Sequence, residues 1–493
     1  MQRLSRQVAE RPDLRQRLNE YIEKQLQRSE RLRLLLWLAW PGFISAGILV
    51  SAFCFSLLFL PSSQHLPVSL WIVIMALAAL RLLSLGLSEL HHRLGQLLPA
   101  QLAQRHFRWA LHLTPGNAEI YCNWGQLLRQ SGDPDQALSL FERARILQPD
   151  DDMAYVQMAY LALSRDDWRE ASRLFDLAYR LRRGVAWNDL PDRLSELSPA
   201  PPRPRPIHTS LTKLQHDAQQ LEFLLQGSYL PERFGRLLQA YQELLRQHSE
   251  QGPALSLSSS QMAPIQLIYG RNVYISPVPA FPREVLNPQH HPKQIEADYL
   301  NSDPACVIVD DLLLPDACEA LLHFCQKSTI WHDDSRPGGY LGAYLDDGFS
   351  CDLLYQIALE LRDALPQVFK GLPLKHMWAY KYDSQREGIG IHADGAAINV
   401  NFWITPDQAN LDPEHGGLLI YPVRAPADWS FAEYNQDTAK AEAMVKGLDP
   451  IRVPYRQNRA VIFDSRLFHA TDNFRFRDDY LMRRINITLL YGR

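Results

Sequence analysis

From Leu34 to Leu80 the chain carries no Lys, Arg, Asp or Glu. About 20 apolar residues cross a bilayer as one helix, so this stretch is long enough for two spans. The turn PSSQHLP (Pro61 to Pro67) separates LLLWLAWPGFISAGILVSAFCFSLLFL from VSLWIVIMALAAL. A helical pair buried in a soluble core would show a polar face, and these segments show none. Charge then sets the orientation. Arg3, Arg6, Arg11, Arg15, Arg17, Lys24, Arg28, Arg31 and Arg33 precede the first span. Arg81, Arg93, Arg105 and Arg108 follow the second, and the turn carries none. Positive charge stays on the cytoplasmic side, so both termini face the cytoplasm and only the turn faces out. The leading region is too long, and the apolar part too extended, for a cleaved signal peptide. The expectation is a multi-pass protein of a bacterial-type inner (plasma) membrane. Residues 1–33 form a cytoplasmic basic helix, 34–88 a two-span transmembrane hairpin, and the rest a large cytoplasmic body.

That body is globular. The chain's 493 residues exceed one core, while 46% hydrophobic and 22% charged residues argue against wholesale disorder. A formal charge of −4 gives no footprint for nucleic acid. The six cysteines are scattered with no CxxC pair, which speaks against a disulfide scaffold and against zinc, and suits a reducing compartment.

Beyond the hairpin, residues 118–151 read AEIYCNWGQLLRQSGDPDQALSLFERARILQPDD. With Ala118 as position one of a 34-residue unit, Trp124 and Gly125 fall at seven and eight, and Ala137, Phe141, Ala144 and Pro149 at the later signature positions. One unit forward come Tyr155, Ala159, Ala171, Phe175 and Ala178; one unit back come Ala103, Phe107, Ala110 and Pro115. This resembles the tetratricopeptide repeat and assigns it to 89–183. Such arrays bind peptide or protein on a curved surface. Two readings stay open: recruitment of a partner, or a spacer packed on the following domain. SPAPPRPRP (Ser198 to Pro206) is an extended linker. It opens a 184–263 segment with a helix on Leu211, Leu214, Ala218, Leu221 and Leu225, a second helix to about His248, and a loop from Gly252 to Pro264. His216-Asp217 falls on the polar side of the first helix and reads as solvated surface.

From 264 to 493 the texture changes to short alternating segments: ACVIVDDLL, HMWAYKYD, INVNFWITP, GGLLIYPV, RAVIFDS and RINITLLYG. With helices over Asp316 to Lys327 and Cys351 to Phe369, this predicts a jelly-roll or barrel. The whole is a multidomain α + β protein: helical hairpin, helical repeats and a C-terminal double-stranded β-helix. GIGIHADGAAINV places His392 and Asp394 one residue apart. Alone, the pair is equally a polar turn. FHATDNF adds His469 at the end of an apolar strand, and two histidines with one carboxylate form the facial triad suited to Fe(II). In RRINITLLYGR, Arg484, Asn486 and Thr488 share one face and Ile485, Ile487 and Leu489 the other. A charge on the polar face of a core strand needs an anion, and an arginine fork matches a carboxylate.

HxD, a distal His and an Arg on the closing strand resemble the Fe(II)- and 2-oxoglutarate-dependent dioxygenases over roughly residues 300–493, nearest the prolyl 4-hydroxylase-like branch. The resemblance implies that His392, Asp394 and His469 bind iron and that Arg484 grips the distal carboxylate of 2-oxoglutarate. Asn486 and Thr488 stand beside it on the co-substrate face. It also implies a co-substrate tyrosine: Tyr382 is the first match and Tyr380 the reserve. Arg484 lies fifteen residues after His469, further than in many prolyl hydroxylases, and Arg483 is out of phase with Asn486 and Thr488. Asn399, Asn401 and Trp403 line the pocket or pack the sheet. His323, His332, His376 and His415 stand outside the metal pattern. RPGGYLGAYLDDGF (Arg336 to Phe349) and the insertion from Ala425 to Asp449, with Trp429, Phe431 and Tyr434, are lids or ordinary loops.

The implied reaction consumes O2 and 2-oxoglutarate at Fe(II), releases succinate and carbon dioxide, and hydroxylates a substrate. The leading expectation is hydroxylation of a protein or peptide side chain, with the repeats recruiting the partner. A lipid or glycolipid headgroup is the alternative, motivated by the anchor. A non-catalytic scaffold or sensor is the third reading, and retention of all four site residues argues against it.

Overall fold

A computed structural model describes residues 68–190, 207–250, 252–335, 339–383 and 388–492. The basic N-terminal segment, the first predicted span and the proline-rich linker lie outside the described residues. Two compact units divide the chain, one ending at Gln148 and one beginning at Pro149.

In the first unit, α1 (Val68–Leu97), α2 (Ala100–Leu113), α3 (Ala118–Gln130) and α4 (Pro134–Leu147) form antiparallel pairs. At 1.5 Å per residue α1 is about 45 Å long, and it passes residue 88 without a break. Its second half packs on α2. Ser84 Oγ donates to Leu113 O at 3.2 Å and Ser88 Oγ to Ala110 O at 2.9 Å. A Cβ on Gly95 would sit 2.8 Å from Phe107. Upstream of Ser84, Leu77, Leu80 and Leu83 are 61%, 63% and 55% exposed. Ile74–Leu97 is long and apolar enough to cross a membrane by length and composition.

The repeat signature is buried as its spacing predicts. Ala103, Phe107 and Ala110; Ala137, Phe141 and Ala144; and Ala171, Phe175 and Ala178 are all at most 1% exposed. The helix starts repeat as well. Asn117 and Asp151 cap the N–H two residues on, while Asp133 and Asp167 cap the N–H three residues on. Tyr121 and Tyr155 each donate to the carbonyl of a proline six residues back.

The second unit begins with the third helix pair, α5 (Asp152–Ser164) and α6 (Trp168–Arg183). This pair shares one hydrophobic core with the C-terminal sheet. Arg182 bridges Asp152 and Asp346, Arg183 Nη2 meets Asp347 at 2.6 Å, and the Tyr160 and His376 rings lie 5.0 Å apart. The third repeat is therefore fixed to the C-terminal sheet domain.

A short ribbon of β1 (Ile207–Ser210) and β2 (Ala254–Leu257) frames α7 (Leu211–Gln226) and α8 (Gly235–His248). β1 follows the proline-rich linker, and β2 falls within the segment the sequence reads as a loop. The solvated reading of His216-Asp217 is overturned: His216 is fully buried, and Asp217 pairs with the buried Lys213. Periodicity shows which face of α7 meets its partner helix. It cannot show that the C-terminal sheet covers the polar face too. There Lys381 Nζ reaches His216 Nε2 at 3.2 Å and Tyr480 Oη at 3.1 Å.

After α9 (Pro292–Asn301) come β3 (Cys306–Val309), α10 (Pro315–Lys327), β4 (Tyr340–Tyr344), α11 (Asp352–Ala364), β5 (Leu374–Tyr382), β6 (Ile398–Trp403), β7 (Leu418–Arg424), α12 (Thr438–Val445), β8 (Ile451–Val453), β9 (Ala460–Asp464), β10 (Leu467–Thr471) and β11 (Ile485–Tyr491). Six antiparallel strands pair in the order β3-β9-β6-β11-β5-β4, and three in the order β10-β7-β8. The period of two sorts β11 as predicted. Ile485, Ile487 and Leu489 join the core under α10 and α11, while Trp403, Ile420, Val453, Phe463 and Leu467 fill the space between the sheets. Within the glycine-rich segment read as a lid or an ordinary loop, Tyr340–Tyr344 form an edge strand. Tyr340 to Tyr344 pair with Tyr382 to Trp378, with Tyr340, Gly342 and Tyr344 on one face of the strand.

Candidate metal centre and co-substrate pocket

His392 and His469, far apart in sequence, form one antiparallel backbone pair: each N–H donates to the other's carbonyl, at 3.0 and 2.8 Å. Directly opposed residues project to the same side, and the ring centroids stand 4.3 Å apart. Asp394 follows in a turn, where its N–H donates to Ser465 O at 3.0 Å. One donor atom from each of His392, Asp394 and His469 lies within 4.8 Å of the others. No other such His/Cys/Asp/Glu group occurs among the described residues.

Protonation can be read from the neighbours. His392 Nδ1 lies 2.8 Å from Gly390 O, and His469 Nδ1 lies 3.0 Å from Leu467 O. A carbonyl only accepts, so each Nδ1 carries the hydrogen and each Nε2 presents a lone pair. Those lone pairs face Asp394, with Nε2 of His392 3.8 Å from Oδ1 and Nε2 of His469 3.5 Å from Oδ2. With both rings in the neutral form, three electron-pair donors converge, a donor set that fits a divalent cation. Burial alone would raise the Asp394 carboxyl; the imidazoles of His469, His392 and His376 outweigh it and hold the group below its ordinary value.

A buried amide chain reaches the same carboxylate. Thr488 Oγ1 and Asn486 Nδ2 both donate to Asn401 Oδ1 at 2.9 Å; Asn401 Nδ2 donates to Asn399 Oδ1 at 2.6 Å; Asn399 Nδ2 donates to Asp394 Oδ2 at 2.8 Å. Asn399 and Asn401 thus do more than pack. Asn486 and Thr488 lie on the expected face, and their printed bonds run into this chain, leaving Asn486 Oδ1 buried without a partner.

Arg484 is 1% exposed. Its Nε and Nη2 donate to the carbonyls of Gly416 and Gly417 at 2.7 and 3.2 Å, while Nη1 is buried with no partner. Gly417 is required there: a Cβ would fall 1.9 Å from Val453 O. Burial pushes the guanidinium down from its ordinary value, opposed by Tyr382 and Tyr455. Tyr382 covers its face at 4.5 Å and meets Thr471 Oγ1 at 3.3 Å. Thr471 lies two residues beyond His469 on the same strand, so one polar run joins His469 to the arginine. An orphaned, buried guanidinium N–H fits a carboxylate.

Tyr380, the reserve, instead meets Tyr344 Oη at 3.2 Å. Arg483 turns to the other side, donating to Gln219 at 2.9 Å. His332 meets Asn272 at 2.6 Å, His415 meets Asp472 at 3.1 Å, and His323 stands near Glu319, so none of these joins the trio. The sequence reading missed Thr471, Ser465 and Asn435, and missed the Gly416-Gly417 pair. Only the glycine pair and the two-residue offset of Thr471 from His469 offered a signal.

A tetratricopeptide repeat family model matches residues 118–151. No curated protein sequence matches the chain. Among solved structures, a Pseudomonas putida prolyl-4-hydroxylase is similar at 15% identity over 41% of this chain and 99% of that one, with a TM-score of 0.29. The non-heme alpha ketoglutarate dependent epimerase SnoN from nogalamycin biosynthesis is similar at 13% identity, over 41% and 82%, with a TM-score of 0.31. HygX from Streptomyces hygroscopicus, with nickel, 2-oxoglutarate and hygromycin B bound, stands at 12%, 39% and 85%, and 0.30. Likenesses this distant carry no conclusion about activity.

Proposed function

We propose that this chain is a membrane-anchored Fe(II)- and 2-oxoglutarate-dependent dioxygenase that hydroxylates a protein or peptide side chain. The observation that carries it is the convergence of two Nε2 lone pairs and a carboxylate beside a buried arginine with an unpartnered N–H. His392, Asp394 and His469 would hold Fe(II), and Arg484 would take the distal carboxylate of 2-oxoglutarate. Together with O2 these groups supply oxidative decarboxylation coupled to hydroxylation. The protein's share is placement. Carbonyls of Gly390 and Leu467 hold the imidazole tautomers, and the asparagine chain holds the Asp394 plane. Tyr382, Trp403 and Phe474 surround the guanidinium, excluding water and strengthening its pairing with an anion.

The apolar face of α1 supports placement in a bacterial-type inner membrane with the catalytic body cytoplasmic, and it keeps a lipid headgroup as the second reading. The first two repeats are the part proposed to recruit a partner, since the third is occupied by the catalytic body.

The test uses the full chain in detergent with Fe(II), ascorbate and 2-oxoglutarate. Succinate formation that disappears in His392→Ala supports the reading, and its absence in metal-loaded wild type refutes it. Mass shifts of one oxygen lost in a His392→Ala strain, in the proteome or in lipid extracts, separate the two substrates.

A further inference from the structure

The insertion between β7 and β8 builds a small core of its own behind the ligands. Ala393, Ala441, Val445 and Phe468 are buried together, with Trp429 and Tyr434 packed against them. Ala393 lies between His392 and Asp394, and Phe468 precedes His469. The insertion thus grips the residues that flank all three ligands.

Two polar links reinforce the grip. The Ala393 N–H donates to Tyr434 O at 2.9 Å. Asn435 Nδ2 donates to Ala393 O at 2.9 Å and to Asp394 Oδ1 at 3.4 Å. Both partners are acceptors, which settles the orientation of the amide. Tyr434 and Asn435 sit in a single π-helical turn, Ala432–Gln436, an uncommon conformation that recurs at functional sites. The carboxylate is then held symmetrically: Oδ2 faces His469 and the Asn399 amide, Oδ1 faces His392 and the Asn435 amide.

We propose that Asn435 is a positioning residue for Asp394, and that the 425–449 insertion is the brace that presents the metal ligands rather than only a cover over the mouth. Asn399 reaches Asp394 from the sheet interior and Asn435 from the insertion, so together they oppose rotation of the carboxylate away from the two Nε2 atoms. The inference rests on the proposed metal centre. Amides that hold a ligating carboxylate change metal affinity by about 10–100-fold when removed.

The test uses Co(II), an air-stable spectroscopic probe, titrated into the full chain in detergent. Asn435→Leu keeps the branching and number of side-chain heavy atoms and loses both donors; Asn435→Ala, the smaller second variant, controls for the bulk of leucine, and Glu442→Gln controls for surface changes in the insertion. The expected result is at least ten-fold weaker Co(II) binding with a changed visible spectrum in both Asn435 variants, at an unchanged melting temperature. Wild-type affinity and spectrum in a folded Asn435→Leu would overturn the proposal. So would loss of Co(II) only in proportion to loss of folding in both variants. Failure of wild type to bind Co(II) would instead overturn the metal centre itself.

Discussion

Arg484 keeps two N–H groups on the Gly416 and Gly417 carbonyls, which fixes its plane before any anion arrives. Lysine has no fork to divide in this way. Arg484→Lys is expected to raise the KM for 2-oxoglutarate about 10–100-fold, as loss of a buried charge-assisted bond implies, while Co(II) affinity stays unchanged. Succinate formation against co-substrate concentration, beside a Co(II) titration, checks both halves. Asn399→Ala should do the reverse, weakening metal binding about ten-fold with little change in that KM once metal is saturating. Ligand types and the phase of Arg484 were legible because both follow from residue identity and a period of two. The Asn399–Asn401–Asn486 chain was half legible: its shared face could be read, its bonds could not, since they cross strands β6 and β11 whose register only the sheet defines.

At the scale of elements, the repeat helices show the closest match between spacing and packing. A Cβ on Gly125 would lie 2.5 Å from the Phe141 ring, in the middle of one helix pair. Gly125→Ala should therefore destabilise the first unit by about 1–3 kcal/mol through overpacking, read as a lower first transition in thermal unfolding, with metal binding unaffected. The same logic failed at β4. Glycines at 338, 339 and 342 suggested a loop, yet a Cβ on Gly342 would already meet Asp333 at 3.1 Å, so one of them marks a close approach inside a strand.

Across the whole molecule, Lys381 is the least expected feature. It is fully buried where α7 meets the sheet, its Nζ donating to His216 and Tyr480 and lying over the Trp331 and Tyr480 rings at 4.7 and 4.3 Å. Burial, with Arg483 beside it, lowers the lysine well below its ordinary 10.5; burial, with Lys381 beside it, lowers His216 well below 6.5. Both charged forms are disfavoured on folding, so below those ordinary values the unfolded chain binds more protons and stability rises with pH. His216 should cost stability as pH falls below about 6.5. The cost of neutral Lys381 spans neutral pH and fades as pH rises toward 10.5. Lys381→Met is expected to raise the melting temperature at pH 7 and to flatten its rise between pH 7 and 9, measured in detergent by calorimetry. Membrane attachment is tested at this scale too: the full chain should stay in the membrane fraction through alkaline carbonate extraction, and release would refute the anchor.

By itself the sequence determined the composition of each part: an apolar stretch without charge, a phased helical repeat, alternating strands, and the His, Asp and Arg types that a metal and a carboxylate require. These are local properties, set by periodicity and side-chain chemistry. Tertiary structure alone decided the rest. It set His392 against His469 in one backbone pair, buried His216 of α7 against Lys381 of β5, tied the third repeat to the C-terminal sheet, and turned the 425–449 insertion toward Asp394 through Asn435. The reason is physical: a helix or strand announces which face is apolar, but what covers the other face depends on which distant element folds onto it.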